Sequence, residues 1–317
     1  VSSTAKSFRK HFEDVSKEYM VEFGLNDRTL VIDIGSNDGI ALKPLQKNGV
    51  PVLGVEPAVN IAKLANDSGV KTINSYFNSE TVDSIISEYG KARLVRVLND
   101  GGSFVVEVQY LLNTMTDLTF DNIYHEHVNY WSVTSLNNFF NGLGFTLYKV
   151  KQINTHGGSI RVFVKRNPGM VDDSVGEFIT NEDNFGLTDF TAYKSFGSKI
   201  SELKDNVNKN ISYLKSKYGT LVGYGSPAKA TTFLNYFEVN HNDIDYIIED
   251  NSMKHGKFIP GVNIPIRSKE YCVSNLPKII IVMAWNFFED IKRNNQDLVD
   301  KGVIFVNIKD LQDSNFK

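Results

Sequence analysis

Cysteine is nearly missing from this chain of 317 residues: Cys272 stands alone, which leaves no disulfide framework and no cysteine-built zinc site. Long apolar runs are missing as well. IIIVMAW, at residues 279–285, falls far short of the roughly 20 residues that span a bilayer. Neither sign of charge dominates: 34 Lys and Arg face 37 Asp and Glu, and the net charge of −3 gives no electrostatic case for a nucleic-acid partner. The opening VSSTAKSFRK is polar and does not read as a secretory leader. These absences predict a soluble, cytoplasmic protein that binds neither membrane nor nucleic acid. What is present, 41% hydrophobic and 22% charged residues, suits a folded chain, and the length favours two domains.

The first domain announces itself in TLVIDIGSNDG (29–39). Leu30, Val31, Ile32 and Ile34 form a short β-branched run, as a buried parallel strand should, and a turn with Gly35, Asn37, Asp38 and Gly39 follows. A second strand, PVLGVEP, ends in Glu56, 23 residues beyond Asp33. Strand, glycine turn, helix and acid together predict a nucleoside site, with the acid on ribose hydroxyls. Asp33 and Asp38 would repel a pyrophosphate. They suit a cationic or zwitterionic ligand such as S-adenosylmethionine; a strand end with solvated acids is the plain alternative. A helical lead-in covers residues 1–28. SFVVEV predicts a further strand, SVTSLNNFFNGLGF a helix with Leu136, Phe139, Phe140 and Leu143 on one face, and TLYKVKQI with SIRVFVKR an antiparallel pair. That order is the class I methyltransferase fold, a Rossmann-like α/β domain over residues 1–167. One strand and its helix are not accounted for, and a segment of roughly twenty residues is expected to be missing near Ala92–Arg93.

Residues 168–317 predict a second Rossmann-like α/β domain. After a long helical stretch, TLVGYGSPAKATTFLNYF sets a strand, the turn from Gly223 through Gly225 to Ala228, and a helix, and Glu249 closes the next strand. Lys229 at the helix start favours an anionic phosphate. NAD(P), a nucleotide-linked substrate, or a ligand-free scaffold all remain open for this turn. The basic loop at 254–266 either closes over such a ligand or is a solvated surface.

YHEHVNYW (124–131) concentrates polar side chains as packing rarely requires. A metal is disfavoured, because no cysteine partner and no H-E-x-x-H spacing exist, so no metal ligand is assigned. A structural polar loop is the plain reading. Proton transfer is the third, with a histidine base, a carboxylate to orient it and a tyrosine hydroxyl for an oxyanion.

DIGSNDG, GVEPA, FVVEVQYLL, FDNIYHEHVNYWS, HGGSIRV, GYGSPAKATTFLNY and PGVNIPI together resemble the sugar C-methyltransferase family nearly end to end. The resemblance implies methyl transfer from S-adenosylmethionine to C3 of a nucleotide-linked (TDP) 4-keto-deoxysugar. It implies His127 as base, with Glu126 holding it and Tyr124 at the enolate oxygen. Asp33, Gly35, Asn37, Asp38, Gly39 and Glu56 would bind the cofactor, and Tyr110, His156, Gly223, Gly225 and Lys229 the sugar nucleotide. Family members usually begin with a zinc domain absent from this chain, so zinc is expected only if such a domain exists. An NAD(P)-dependent oxidoreductase, an O-methyltransferase and a non-catalytic S-adenosylmethionine binder are the competing readings.

Overall fold

The structure is a computed structural model that describes residues 6–89, 102–125, 127–153 and 158–316. Ala92–Arg93, Glu126 and His156 lie outside the described residues. Contacts divide the chain into two compact units, and the chain passes between them more than once. Unit one holds Val1–Val108, Val133–Gln152 and Ile160–Thr180; unit two holds Gln109–Ser132, Ile153–Ser159 and Asn181–Lys317.

In unit one, α1 (Lys6–Glu22) leads to β1 (Val31–Ile34), α2 (Leu42–Lys47), β2 (Val52–Val55), α3 (Val59–Asp67), β3 (Thr72–Ile73) and α4 (Ser79–Tyr89). The three strands form one ladder, parallel at both pairings, with Val31 opposite Val52 and Ile32 opposite Leu53. Side chains alternate across a strand, so each face needs its own cover. Val31 packs with Leu42 and Leu45 of α2 and with Tyr19, Met20 and Phe23 near the end of α1. Ile32, Leu53 and Val55 pack on the other face against Ile85 of α4. Helices on both faces explain why these strands read as near-continuous apolar runs.

A second ladder of the same unit has the order β4 (Phe104–Gln109), β6 (Ser159–Lys165), β5 (Thr146–Ile153). The helix expected before this pair is α6 (Val133–Gly142). Its buried stripe is Val133, Leu136 and Phe140, whereas Phe139 and Leu143 are about half exposed, which corrects the face expected from the sequence. Gly144, at φ 74°, ends the helix, and the Phe145 N–H reaches back to the Phe140 carbonyl. Asp173–Phe185 forms a helix, α7, that the polar sequence did not announce.

Charge ties α1 to this second ladder. Arg161 of β6 is 1% exposed, and its guanidinium donates to Glu107 of β4 at 2.7 Å and to Glu18 of α1 at 2.8 Å. Lys149 and Lys151 of β5 pair with Glu22 and Glu18. Burial pushes the Glu107 carboxyl up, but His11 and Arg161 outweigh it and hold it below the usual range.

Unit two contains α8 (Phe190–Tyr218), capped by Asp189 onto the Thr191 N–H and ended by Gly219 at φ 78°. Then follow β7 (Leu221–Tyr224), α9 (Ala228–Phe237), β8 (Tyr246–Ile248), β9 (Ile266–Arg267), β10 (Ile279–Val282) and β11 (Ile304–Asn307). The sheet is parallel throughout, in the order β11-β10-β7-β8-β9. Strand order reverses between β7 and β10. In open α/β sheets that point is a ligand crevice at the carboxyl ends of the strands.

Arg161→Ala leaves Glu107 without its main cation and should cost about 3–5 kcal/mol. Glu107 stabilises the fold above its unfolded-state pKa, and that contribution is lost as the pH falls through the lowered folded value. Denaturant melts from neutral to acid pH should therefore show the wild type losing stability in that window and Arg161→Ala losing less.

Candidate active site

The turn after β1 is held from behind by the acid that closes β2. Gly35, at φ 69°, donates to the Val55 carbonyl at 2.8 Å. Asn37, at φ 51°, donates its N–H to Glu56 Oε2 at 3.0 Å, and Glu56 Oε1 accepts the Ala58 N–H at 2.9 Å. Asn37 Oδ1 accepts the Asp38 N–H. Asp38 and Glu56 are buried, and Asp33 is half-buried on β1 opposite Gly54. Gly39 has φ 76°, and a Cβ there would press on Val70 at 2.9 Å. The sequence reading overlooked Gly54: a Cβ on it would meet Ser36 Oγ at 2.5 Å, so its bareness lets the turn lie against β2. Asn74 was also overlooked; its amide holds the Glu56 and Pro57 carbonyls.

These residues fit S-adenosylmethionine. The N–H groups of Leu42 and Lys43 at the start of α2 already bond the Gly39 carbonyl, so they offer a pyrophosphate nothing. Asp33 and Asp38 bring negative charge to the same turn, which suits an ammonium and a sulfonium. Glu56 stands where a ribose acceptor belongs, and Ser36 Oγ is buried without a hydrogen-bond partner among the described residues.

The histidine-rich segment belongs to unit two. It follows α5 (Leu111–Thr116) and a single 3-10 turn, Phe120–Asn122. Phe120 is buried against α9, with ring centroids 5.1 Å from both Tyr236 and Phe237. Beyond that anchor the His127 N–H bonds the Tyr124 carbonyl at 2.9 Å. His127 Nδ1 lies 2.8 Å from the Asn122 carbonyl and Nε2 lies 2.8 Å from Tyr124 Oη. A carbonyl only accepts, so Nδ1 carries the proton and Nε2 presents its lone pair to the Tyr124 hydroxyl. Among the described residues, the group that orients the ring is thus a backbone carbonyl; Glu126, expected to hold it, lies outside them. Among the described residues no group of three or more His, Cys, Asp or Glu side chains could hold a metal ion.

The second turn repeats the first. Gly225, at φ 85°, donates to the Ile248 carbonyl at 2.7 Å, and Glu249 Oε2 accepts both the N–H and the hydroxyl of Ser226. Burial raises the Glu249 carboxyl, but Ser226, the Asn251 N–H and Lys254 outweigh it and leave it lowered. Gly223 is explained by packing, since a Cβ would strike Ile247 at 2.8 Å and Met283 at 2.9 Å. Lys254 donates to the Ser226 carbonyl and His255 bonds that of Glu249, so the basic loop is pinned to the turn. Tyr110 is buried, and burial first, then the Glu182 carboxylate, raises its hydroxyl pKa.

Lys229 is 6% exposed, and its ammonium has no hydrogen-bond partner among the described residues. It stands 4.5 Å from the centroid of the Trp285 ring, with Lys309 at 4.8 Å from the same ring. Burial pushes the Lys229 pKa down to about 8, with Asp121 opposing and Lys309 assisting. Asp121, Trp285 and Lys309 escaped the sequence reading, although FDNIYHEH and IIIVMAW contain the first two.

The first glycine turn suits a cationic nucleoside such as a methyl donor, and the second unit carries a hydrogen-bonded histidine–tyrosine pair. Comparison with known proteins gives the class as methyltransferase. Residues 8–150 match the family described as "Methyltransferase domain", and residues 154–308 match "C-methyltransferase C-terminal domain". The C-methyltransferase NovU of Streptomyces niveus is 31% identical over 330 residues, covering 96% of this chain and 78% of that protein. The chain belongs to the C-methyltransferase family and is an S-adenosylmethionine-dependent C-methyltransferase. Solved structures add little. Magnesium protoporphyrin IX methyltransferase from Synechocystis PCC 6803 is 13% identical, covers 50% of this chain and 82% of its own, and has a TM-score of 0.37. A SAM-dependent methyltransferase from Archaeoglobus fulgidus is 14% identical, covers 50% and 94%, and has a TM-score of 0.38. Neither carries weight in the assignment.

In protein labelled with 15N-histidine, the neutral ring of His127 should show the Nδ1–H tautomer. Tyr124→Phe should move the Nε2 resonance and leave Nδ1 in place. Equal populations of the two tautomers in the wild type would contradict the bonding described above.

Proposed function

We propose that the protein methylates C3 of a nucleotide-linked 4-keto-deoxysugar, a TDP-sugar by the sequence resemblance, through an enolate made by His127. The observation that carries this reading is the bonded pair of Tyr124 Oη and His127 Nε2, with the ring proton held on Nδ1 by Asn122. A C3–H beside a C4 ketone is acidic enough for a histidine base. His127 Nε2 takes the proton, the C–H electron pair becomes the C3=C4 bond, and charge moves to the C4 oxygen. The imidazolium so formed keeps its Nδ1–H on the Asn122 carbonyl. Tyr124, released from Nε2, donates its hydroxyl to the enolate oxygen. Glu126 adds a carboxylate that stabilises the imidazolium.

S-adenosylmethionine supplies an electrophilic methyl group to the enolate carbon. Asp33, Asp38 and Glu56 hold it by charge and by ribose hydroxyls, and Gly35, Asn37 and Gly39 shape the backbone around it. Residues 1–167 are the methyl-donor half and 168–317 the sugar-nucleotide half, although by contacts Gln109–Ser132, which carries the base, and Ile153–Ser159 group with unit two, and residues 168–180 with unit one. Gly225 and Lys229 take the nucleotide's phosphates at the switch point, and Tyr110 and His156 line the substrate. Zinc belongs only to a preceding domain, where one exists. Family membership sets the oxidoreductase and O-methyltransferase readings aside.

In deuterated water, the wild type with a TDP-4-keto-6-deoxysugar should lose the C3 proton signal without the methyl donor and form a C-linked methyl group with it. His127→Ala should slow both by roughly 10²- to 10⁴-fold. A wild type that neither exchanges nor methylates C3 would dismiss this substrate. Because Lys229 is charged below about pH 8, affinity for TDP should weaken as the pH rises above that value. Lys229→Met should weaken TDP binding by on the order of tenfold at pH 7 and flatten that dependence, as calorimetry can read.

A further inference from the structure

Asp121 is 5% exposed, and its Oδ2 accepts the Trp285 indole N–H at 2.5 Å. Trp285 begins the turn just after β10, at the switch point of the unit-two sheet. Asp121 lies inside the 3-10 turn Phe120–Asn122, and its neighbour Asn122 supplies the carbonyl that holds His127 Nδ1. The same stretch is fastened at two further points. Phe120 is packed into the aromatic cluster of α9, and Lys309 donates to the Asp117 carbonyl at 3.3 Å. Of these fastenings, only the Asp121–Trp285 bond fixes the residue adjoining the one that orients the base. A hydrophobic contact such as that of Phe120 is non-directional and leaves the turn free to roll. A short hydrogen bond to a buried carboxylate sets an angle.

We propose that Asp121 and Trp285 are positioning residues for the base: their hydrogen bond fixes the Phe120–Asn122 turn so that the Asn122 carbonyl holds His127 in the Nδ1–H tautomer. This rests on the reading of His127 as base. Neither side chain touches the reacting atoms, and each acts through the backbone of Asn122. Lys229, at the start of α9, and Lys309, just beyond β11, both lie against the Trp285 ring. Burial raises the Asp121 carboxyl, partly offset by the Trp285 N–H and the two lysines.

The test is made on the whole chain with two readouts, the 15N tautomer of His127 and the rate of C3 exchange of a TDP-4-keto-6-deoxysugar in deuterated water. Trp285→Phe keeps an aromatic ring and removes the donor. It should mix the His127 tautomers and slow exchange by on the order of tenfold, with S-adenosylmethionine affinity unchanged. Asp121→Leu removes the acceptor at similar volume and should give the same two losses, so that either variant decides if the other fails to fold. Asp121→Asn still offers an acceptor oxygen and should stay within about threefold of wild type in both readouts. Wild-type tautomer and exchange in Trp285→Phe or Asp121→Leu would overturn the proposal. So would Asp121→Asn failing as badly as Asp121→Leu, since charge and not the hydrogen bond would then be at work. If the wild type itself does not exchange C3, the substrate reading falls, while the tautomer readout still judges the positioning role.

Discussion

A carboxylate at the end of the second strand of each sheet holds the turn at the end of the first. Glu56 accepts from Asn37 and Glu249 from Ser226, and a glycine of each turn, Gly35 or Gly225, donates to the neighbouring strand's last carbonyl. Parallel strands bring these groups together because their carboxyl ends lie side by side. The turn's backbone donors would otherwise be left to water or a ligand. The bond keeps each turn in positive-φ conformations without one, and so gives both units a pre-shaped edge. The same bonds distinguish the two turns. Around Glu56 lie the carboxylates Asp33 and Asp38; around Glu249 lie Lys254 and, beyond the turn, Lys229.

His127 belongs, by contacts, to the unit whose sheet carries the second turn. Phe120 is part of the same core cluster as Phe233, Phe237 and Ile247, so the turn that precedes the histidines is rooted in the core of that unit. In unit one, by contrast, a buried guanidinium and its carboxylates fasten the lead-in helix to the second ladder. Removing one partner from such a set costs more than the set contributes, because the remaining charge is only partly reached by water. Arg161 therefore speaks for a fixed geometry more than for high stability.

Much of this could be read from residue order. Short β-branched runs followed by Gly35 and Gly225 marked strands and turns, and the acids 56 and 249 followed at the spacing of a βαβ unit. Tyr124 and His127, three residues apart, proved to be hydrogen-bonded to each other. Less was legible where one face of a helix had to be chosen. Phe139 and Leu143 are as apolar as Leu136 and Phe140, but the sheet has room for only one stripe. Gly223 fits a nucleotide fingerprint as well as any glycine, yet its bareness answers to Ile247 and Met283.

The sequence by itself determined the fold class, the two glycine turns and the histidine-bearing segment, because local pattern, spacing and side-chain chemistry specify those without reference to distant residues. Tertiary structure alone decided which nitrogen of His127 bears the proton, which unit the segment joins, and that Asp121 meets Trp285. Those outcomes depend on partners 164 residues apart in the case of Asp121 and Trp285. Such a pairing exists only once β7 and β10 lie side by side, and no periodicity along the chain encodes it.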